Sequence, residues 1–555
     1  MADRLGRSVQ AMVRRPAHAL CSTGMRRRTH WRSSATLEMR MASGTLSPSE
    51  KTQPLAAGDS LLLGVAVLLV VNVLQRVVGL VRNVGFCHYL PDAQLGAWAL
   101  TNSFLEIAVP LSLLGLTGGL GRFVEHYRRR SELGDYLRRV IQICAVGLIA
   151  VAGWIVVFPR SFQWVVYNQY YGVRLSLLCA AALVALVLYT VVAELVAALR
   201  HVRVLSIMQF LQSTLFTVLG LLSLVVWKSW EWLIPSFAVA CVLALIPGAW
   251  VLMSGHAAEF RASGRLESRS MWRRIVPYAA ALWAVNILTG LYESSDRYML
   301  LHLSSATALV GAAAVGQYHC GRILANLLTS VAVMLSGVLL PYLSADWESG
   351  GQSRIGYRMR WVLISACVVM LAGSAGALVA SPLLFQWLLE GRYALAESVL
   401  HLVLLQAVWH GLFLIAESCL LCAERGRDLA VIVGVGLLFN LAGNWWFIPR
   451  WGVAGAASAT ALAAWFCLVC VLAKMRQLDW HPGWGAALLC GLAPLGLLGG
   501  AASVVAVLVA IVLVAGRTDW LLTSDDRAEM DALFLPHLHR MGIRLQSLWP
   551  TGAKG

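Results

Sequence analysis

Charged side chains stand where long apolar stretches should exclude them. Asn72, Gln75, Arg76, Gly79 and Arg82 interrupt the stretch 61–83, and Asn102 and Glu106, one helical turn apart, interrupt 96–118. Asn286, Thr289, Glu293, Asp296 and Arg297 run through and just past 272–296, and His319, Arg322, Asn326 and Thr329 fall within 311–341. In each set the spacing gathers the polar residues on one broad helical face. A charge at mid-membrane costs roughly 2.5–3.5 kcal/mol on insertion scales, so each needs a partner or a task. Guanidinium groups match phosphate oxygens bidentately, so arginines on such a face favour an anionic ligand group. The candidate binding residues are Arg76, Arg82, Asn102, Arg297, Arg322 and Asn326. The candidates for holding a coupling ion, sodium or proton, are the carboxylates Glu106, Glu293 and Asp296. The competing reading is that these charges pair with one another, Arg76 with Asp296 or Arg322 with Glu106, and lock the molecule together.

The elements that must position these residues are membrane helices. The chain is 59% hydrophobic and 13% charged, with a mean hydropathy of +0.70, whereas soluble domains carry about 25% charged residues. Its apolar residues come in runs of about 18 to 25, the length that crosses a bilayer core as helix. The expected spans are 61–83, 96–118, 140–158, 174–198, 205–227, 232–253, 272–296, 311–341, 360–380, 396–421, 428–448 and 452–473, followed by a hairpin of two short spans, 484–498 and 501–516. Alternate loops are rich in arginine, from Arg122 to Arg139, at Arg200 and Arg203, and from Arg261 to Arg274. The pattern continues at Arg354 to Arg360, Arg425 and Arg427, and Lys474 and Arg476, while the opposite loops are nearly bare. Basic loops stay inside, which places the N-terminus in the cytosol.

The halves of this array resemble each other at an offset of about 220 residues, the mark of an internal repeat. Phe162-Gln163-Trp164 recurs as Phe385-Gln386-Trp387, preceded by Pro159 and Pro382 and followed by Tyr170 and Tyr393. Tyr136 and Arg139 align with Tyr357 and Arg360, Leu95-Gly96-Ala97-Trp98 with Val315-Gly316-Gln317-Tyr318, and Ala193-Glu194 with Ala416-Glu417. The same register matches Arg76 to Asp296, Asn102 to Arg322 and Glu106 to Asn326. The offset covers six spans, an even number, so both halves face the same way. The expected fold is all-α, about fourteen transmembrane helices, with two six-helix halves in parallel pseudo-two-fold repeat and a C-terminal helical hairpin. Transporters with such repeats enclose a central site and rock to alternate its access. The expected organisation is a basic cytosolic tail over 1–58, an N-lobe over 59–256, a linker over 257–271 and a C-lobe over 272–476. Two extra short spans follow over 477–516, then a cytosolic tail over 517–555, where Ser524 caps a short amphipathic helix bearing Met530, Leu533 and Phe534.

Other chemistries find little support. Much of the net charge of +16 sits in the first 51 residues, where Arg4, Arg7, Arg14, Arg15 and Arg26 to Arg28 outweigh Asp3, Glu38 and Glu50. That stretch has no apolar h-region of a signal peptide, and no motif of a nucleic-acid reader accompanies it. Cys419 with Cys422 and Cys467 with Cys470 have C-x-x-C spacing inside apolar spans and read as small hydrophobic residues, not as metal ligands. There is no P-loop, and no Ser/His/Asp arrangement or metal-ligand cluster stands out, so neither catalytic residues nor a cofactor are expected, and transport would draw on an ion gradient or on the substrate's own.

Several segments carry a family resemblance. Arg76-Val-Val-Gly-Leu-Val-Arg82 with Leu95-Gly-Ala-Trp-Ala-Leu100, Asp296-Arg-Tyr-Met-Leu300 with Val315-Gly-Gln-Tyr318, and Ile448-Pro-Arg-Trp-Gly452 with Gly455-Ala-Ala457 resemble polysaccharide-biosynthesis flippases of the O-antigen type. The similarity covers about residues 60–475 and implies membership of the multidrug/oligosaccharidyl-lipid/polysaccharide exporter superfamily. What it implies in turn is a monomer that flips a polyprenyl-diphosphate-linked glycan, the diphosphate and sugars in the cationic cavity and the polyprenyl tail among membrane lipids. A cation-coupled multidrug-type exporter and a lipid II flippase are the alternatives; Arg122-Phe-Val-Glu125 is closer to the polysaccharide branch.

Overall fold

In the computed structural model, residues 57–261, 268–304, 310–349, 352–480, 482–522 and 526–527 are described, and among them there is no β-strand. The basic tail before Ala57 and the expected amphipathic helix at Met530 to Phe534 lie outside the described residues. The chain divides into two compact units, Met1–Val65 and Ala66–Gly555, and of the first only the helical residues from Ala57 are described.

The main helices are α1 (Ala57–Tyr89), α2 (Asp92–Leu113), α3 (Leu133–Val157), α4 (Val173–Ala198), α5 (Val202–Trp227), α6 (Leu233–Gly255), α7 (Ser268–Leu303) and α8 (Ala312–Glu348). They continue as α9 (Gln352–Pro382), α10 (Leu400–Cys422), α11 (Gly426–Gln477), α12 (Trp484–Leu492) and α13 (Gly500–Arg517). By length and composition, ten helices among the described residues can cross a membrane, or eleven if the bent pair Asp92–Leu113 and Thr117–Arg128 is one span. The expected fourteen exceed the count of eleven at three places: α1, which carries the expected span 61–83, is not among the helices counted, and two runs count once each. The α11 run counts once, yet Gly452 (φ 54, ψ −124) breaks it between the expected spans 428–448 and 452–473. Trp484–Arg517 also counts once, yet Gly485 lies against the backbone of Trp520, so this run folds back on itself as a hairpin.

Burial follows the demands of a bilayer. On α3, Val146 and Ile149 are about two-thirds exposed (67% and 69%) and present an apolar surface suited to acyl chains. Helix α10 is enclosed, with Leu404, Trp409, Leu412 and Ile415 all buried. It packs against α8 and α11, where Ala456, Ala457, Ala463 and Ala464 of α11 are buried; small residues let helices approach closely when lipid supplies no hydrophobic drive. The strongest seam between the first six helices and the rest runs between α2 and α8, with α7 also against α2. We call α1–α6 and α7–α11 the two lobes.

Candidate functional site

Two cavities meet at that seam. The larger, about 820 Å³, opens among α1, α2, α4, α5, α7 and α8 and is lined by Asn72, Gln75, Arg76, Arg82, Glu106, Gln209, Gln212, Glu293 and Asn326, among others. The smaller, about 200 Å³, lies among α7, α8, α10 and α11 and is lined by Glu293, Asp296, Arg322, Thr329, Gln406, His410 and Thr460, with Arg76 reaching in from α1. Arg76, Glu293 and Asn326 line both cavities and so mark where they meet.

The C-lobe side is built around Asp296, which is fully buried. Its Oδ2 accepts a 2.6 Å hydrogen bond from the Tyr318 hydroxyl and a 3.1 Å bond from Arg322 Nη1. The Arg322–Asp296 ion pair is enclosed, with 12% and 1% of the side chains exposed. These residues meet because α7 and α8 each turn a polar face inward and Tyr318 sits one helical turn before Arg322. Deeper in the lobe, Asn440 is a second polar centre. Its Oδ1 accepts from Ser295 Oγ (3.1 Å) and Asn444 Nδ2 (2.8 Å), and its Nδ2 donates to Thr460 Oγ1 (3.2 Å). The structure thus pairs Arg322 with Asp296 inside one lobe, in place of the cross-lobe pairings Arg76–Asp296 or Arg322–Glu106.

The N-lobe side is open. Arg76 is exposed to the cavity, and among the described residues no hydrogen bond or ion pair engages it. Arg82 stands 5.0 Å from the Phe216 ring centroid, and its Nε has no hydrogen-bond partner. Glu106 lines the larger cavity and accepts a 2.7 Å bond from Asn102 Nδ2.

Not every sequence candidate lines these cavities. Asn102 acts through Glu106. Arg297 is buried at the seam, where its Nη1 donates to Ser103 Oγ of α2, and the neighbouring Tyr298 hydroxyl donates to the Leu100 carbonyl at 3.4 Å. Conversely, Gln209, Gln212 and Ser213 of α5, Gln406 and His410 of α10, and Thr460 of α11 line the cavities without having been singled out. The signal was present: Gln406 and His410 are one turn apart in an otherwise apolar span, as Asn102 and Glu106 are.

Membrane-length helices in two lobes, with a charged cavity on the seam, define the class: a polytopic α-helical integral membrane protein. Two solved structures share this fold. One is the lipid II flippase MurJ in an inward closed conformation, with TM-score 0.63 and 13% identity over 81% of this chain and 99% of that one. The other is a multidrug resistance MATE family transporter of the MOP superfamily in an inward-facing conformation, with TM-score 0.58 and 11% identity over 73% of this chain and 95% of that one. The uncharacterized membrane protein MJ1068 of Methanocaldococcus jannaschii is 22% identical over 420 residues, 71% of this chain and 80% of that protein. Residues 61–347, just over half the chain, match the family described as "Polysaccharide biosynthesis protein", and the chain belongs to that family.

Proposed function

We propose that this protein flips a polyprenyl-diphosphate-linked oligosaccharide across the inner membrane by alternating access, for export of a cell-surface polysaccharide. The observation that carries the proposal is the pair Arg76 and Arg82, two guanidiniums on one face of α1 without an acidic partner among the described residues, in a cavity of about 820 Å³. Pockets of roughly 300–1,000 Å³ enclose small organic ligands. Guanidinium donors in such a space suit a diphosphate, and Gln75, Gln209, Gln212, Asn72 and Asn326 suit sugar hydroxyls. The family supports a glycan as cargo. Among the described residues Tyr189 is the cavity's single aromatic lining residue, which fits a drug exporter poorly. Of the three carboxylates, Glu106 and Glu293 face the cavity without an ion-pair partner among the described residues, so the coupling ion, sodium or proton, binds there rather than at the arginine-paired Asp296. The arginine-rich loop ends face the cytosol, as does the N-terminus, and the halves 59–256 and 272–476 are the moving bodies.

The test is flipping of a fluorescent polyprenyl-diphosphate sugar in proteoliposomes, with lipid II and a cationic dye as competing cargoes. Arg76→Ala should reduce flipping at least about tenfold, the loss of one charge-assisted contact worth about 1.5–3 kcal/mol. Its stability should stay within about 0.5 kcal/mol of the parent. Undiminished flipping by a folded Arg76→Ala variant would refute the site; transport of the dye alone would refute the cargo.

A further inference from the structure

The repeat places Gly96 and Gly316 at equivalent positions, and the structure puts them against each other's helix across the seam. A Cβ on Gly96 would overlap the carbonyl of Ala312 and crowd the amide of Gly316, and a Cβ on Gly316 would overlap the carbonyl of Asp92. Asp92 and Ala312 are themselves equivalent, each four residues before its glycine, so the contact is reciprocal. The pseudo-two-fold axis therefore passes between the first turns of α2 and α8, where backbone touches backbone. A helix pair this close tolerates only glycine at the crossing.

This end of the seam is also tied by other cross-lobe contacts. The Tyr393 hydroxyl donates to the Leu90 carbonyl at 2.8 Å, Arg392 Nη1 donates to the His88 carbonyl at 2.9 Å, and His88 Nδ1 lies 3.1 Å from the Leu388 carbonyl oxygen. On the opposite flank the Trp164 ring of the N-lobe meets the His302 ring of α7, centroids 6.3 Å apart. Trp164 of the first Phe-Gln-Trp copy, and Leu388 and Arg392 just after the second, thus reach the first helix of the other lobe. Behind the ties, Cys87 of α1 and Cys320 of α8 are fully buried.

We infer that Gly96 and Gly316 are positioning residues of a gate, the absence of both side chains allowing the lobes to close at the His88 end. The purpose of the gate rests on the alternating-access reading above; the contact does not. A methyl group at either position disfavours the closed arrangement and shifts the population toward the one open at this end.

The experiment uses the full chain in sealed vesicles and a membrane-impermeant maleimide on the side of the His88 loop, with labelling of Cys87 and Cys320 read by peptide mass spectrometry. The parent should label slowly. Gly96→Ala or Gly316→Ala should raise labelling of both cysteines at least about tenfold, the factor expected of ordinary overpacking. Gly434→Ala, where a Cβ meets nothing within 4 Å, should leave it unchanged. Tyr393→Phe removes one tie without adding bulk and should raise labelling about fivefold, as loss of one net hydrogen bond does; it serves if the glycine variants fail to fold. Parental labelling in folded variants of both kinds would overturn the inference. Because labelling needs no cargo, increased labelling without flipping would remove the cargo assignment and leave the gate standing.

Discussion

At matching positions of the repeat, Asp296 and Arg76 meet opposite fates. Asp296 is enclosed in the C-lobe, held by Tyr318 at 2.6 Å and by Arg322 at 3.1 Å, with no solvent-exposed surface. Arg76 faces the open cavity in the N-lobe. The next pair differs in the same way: Arg322 is occupied by its carboxylate, whereas Asn102, its counterpart, holds Glu106 at the cavity wall. A duplicated polar face has become a closed network in one lobe and an open surface in the other. A satisfied network leaves few donors for a ligand and rigidifies its helices; an open surface does the reverse. On the reading proposed above, the paired Asp296 and Arg322 serve as scaffold, while Arg76, Arg82 and Glu106, joined by Glu293 from the C-lobe, form the cavity surface.

The largest effect that tests this contrast is on stability. Arg322→Ala leaves Asp296 buried without its partner, and removing one member of a buried pair costs about 3–5 kcal/mol. Thermal unfolding in detergent should show that loss, while Arg76→Ala should show almost none. Replacing both members, Asp296→Leu with Arg322→Met, should recover most of the stability, since apolar replacement of a buried pair is often neutral. Equal melting temperatures for Arg322→Ala and Arg76→Ala would break the comparison.

Much of this arrangement can be read from the sequence, and what escapes has a definite cause. Residue spacing assigns a polar residue to a helical face, so the inward faces of α1, α2, α7 and α8 are legible, as is the six-helix repeat. Spacing does not give the rotation of one helix against another. Arg322 can meet Asp296 or Glu106 with the same pattern, and only the approach of α7 to α8 decides. Arg297 illustrates the same limit: next to a span boundary it suits the interface, yet it is buried against Ser103. Isolated pairs such as Gln406 and His410 carry too little polarity to stand out against the apolar span around them.

A smaller effect sharpens the N-lobe side. Asn102→Ala removes the 2.7 Å donor to Glu106. Because Glu106 faces a water-accessible cavity, water replaces the lost donor and the stability change should be about 1 kcal/mol or less. The Asn102→Ala and Arg322→Ala variants occupy equivalent positions, so their difference in chemical unfolding measures the asymmetry of the lobes directly. Comparable losses would mean that both faces are scaffold.

The smallest effect concerns the seam at the arginine-rich end, where the lobes touch through exposed helix ends rather than through a buried pair. His126, in the short helix Leu120–Arg128 beyond the expected span 96–118, accepts a 2.9 Å hydrogen bond at Nε2 from Arg274 Nη1 of α7. Arginine has no acceptor, so the contact requires a neutral imidazole. Burial first, then Arg274 and Arg130, opposed by Glu132, hold the His126 imidazole below the ordinary histidine range. Its folded value therefore lies below its unfolded one, near 6.5, and the unfolded chain binds more protons as pH falls through that region. The stabilisation is fully present above about pH 6.5 and declines as the pH drops below it. Solvent screening at this partly exposed site keeps the change small. The parent should lose slightly more thermal stability between pH 7.5 and 5.5 than His126→Gln, whose side-chain oxygen still accepts from Arg274 but does not titrate. An equal or larger loss in the variant would show that this end of the seam does not depend on a neutral His126, and that its contact with Arg274 is incidental to how the lobes are held.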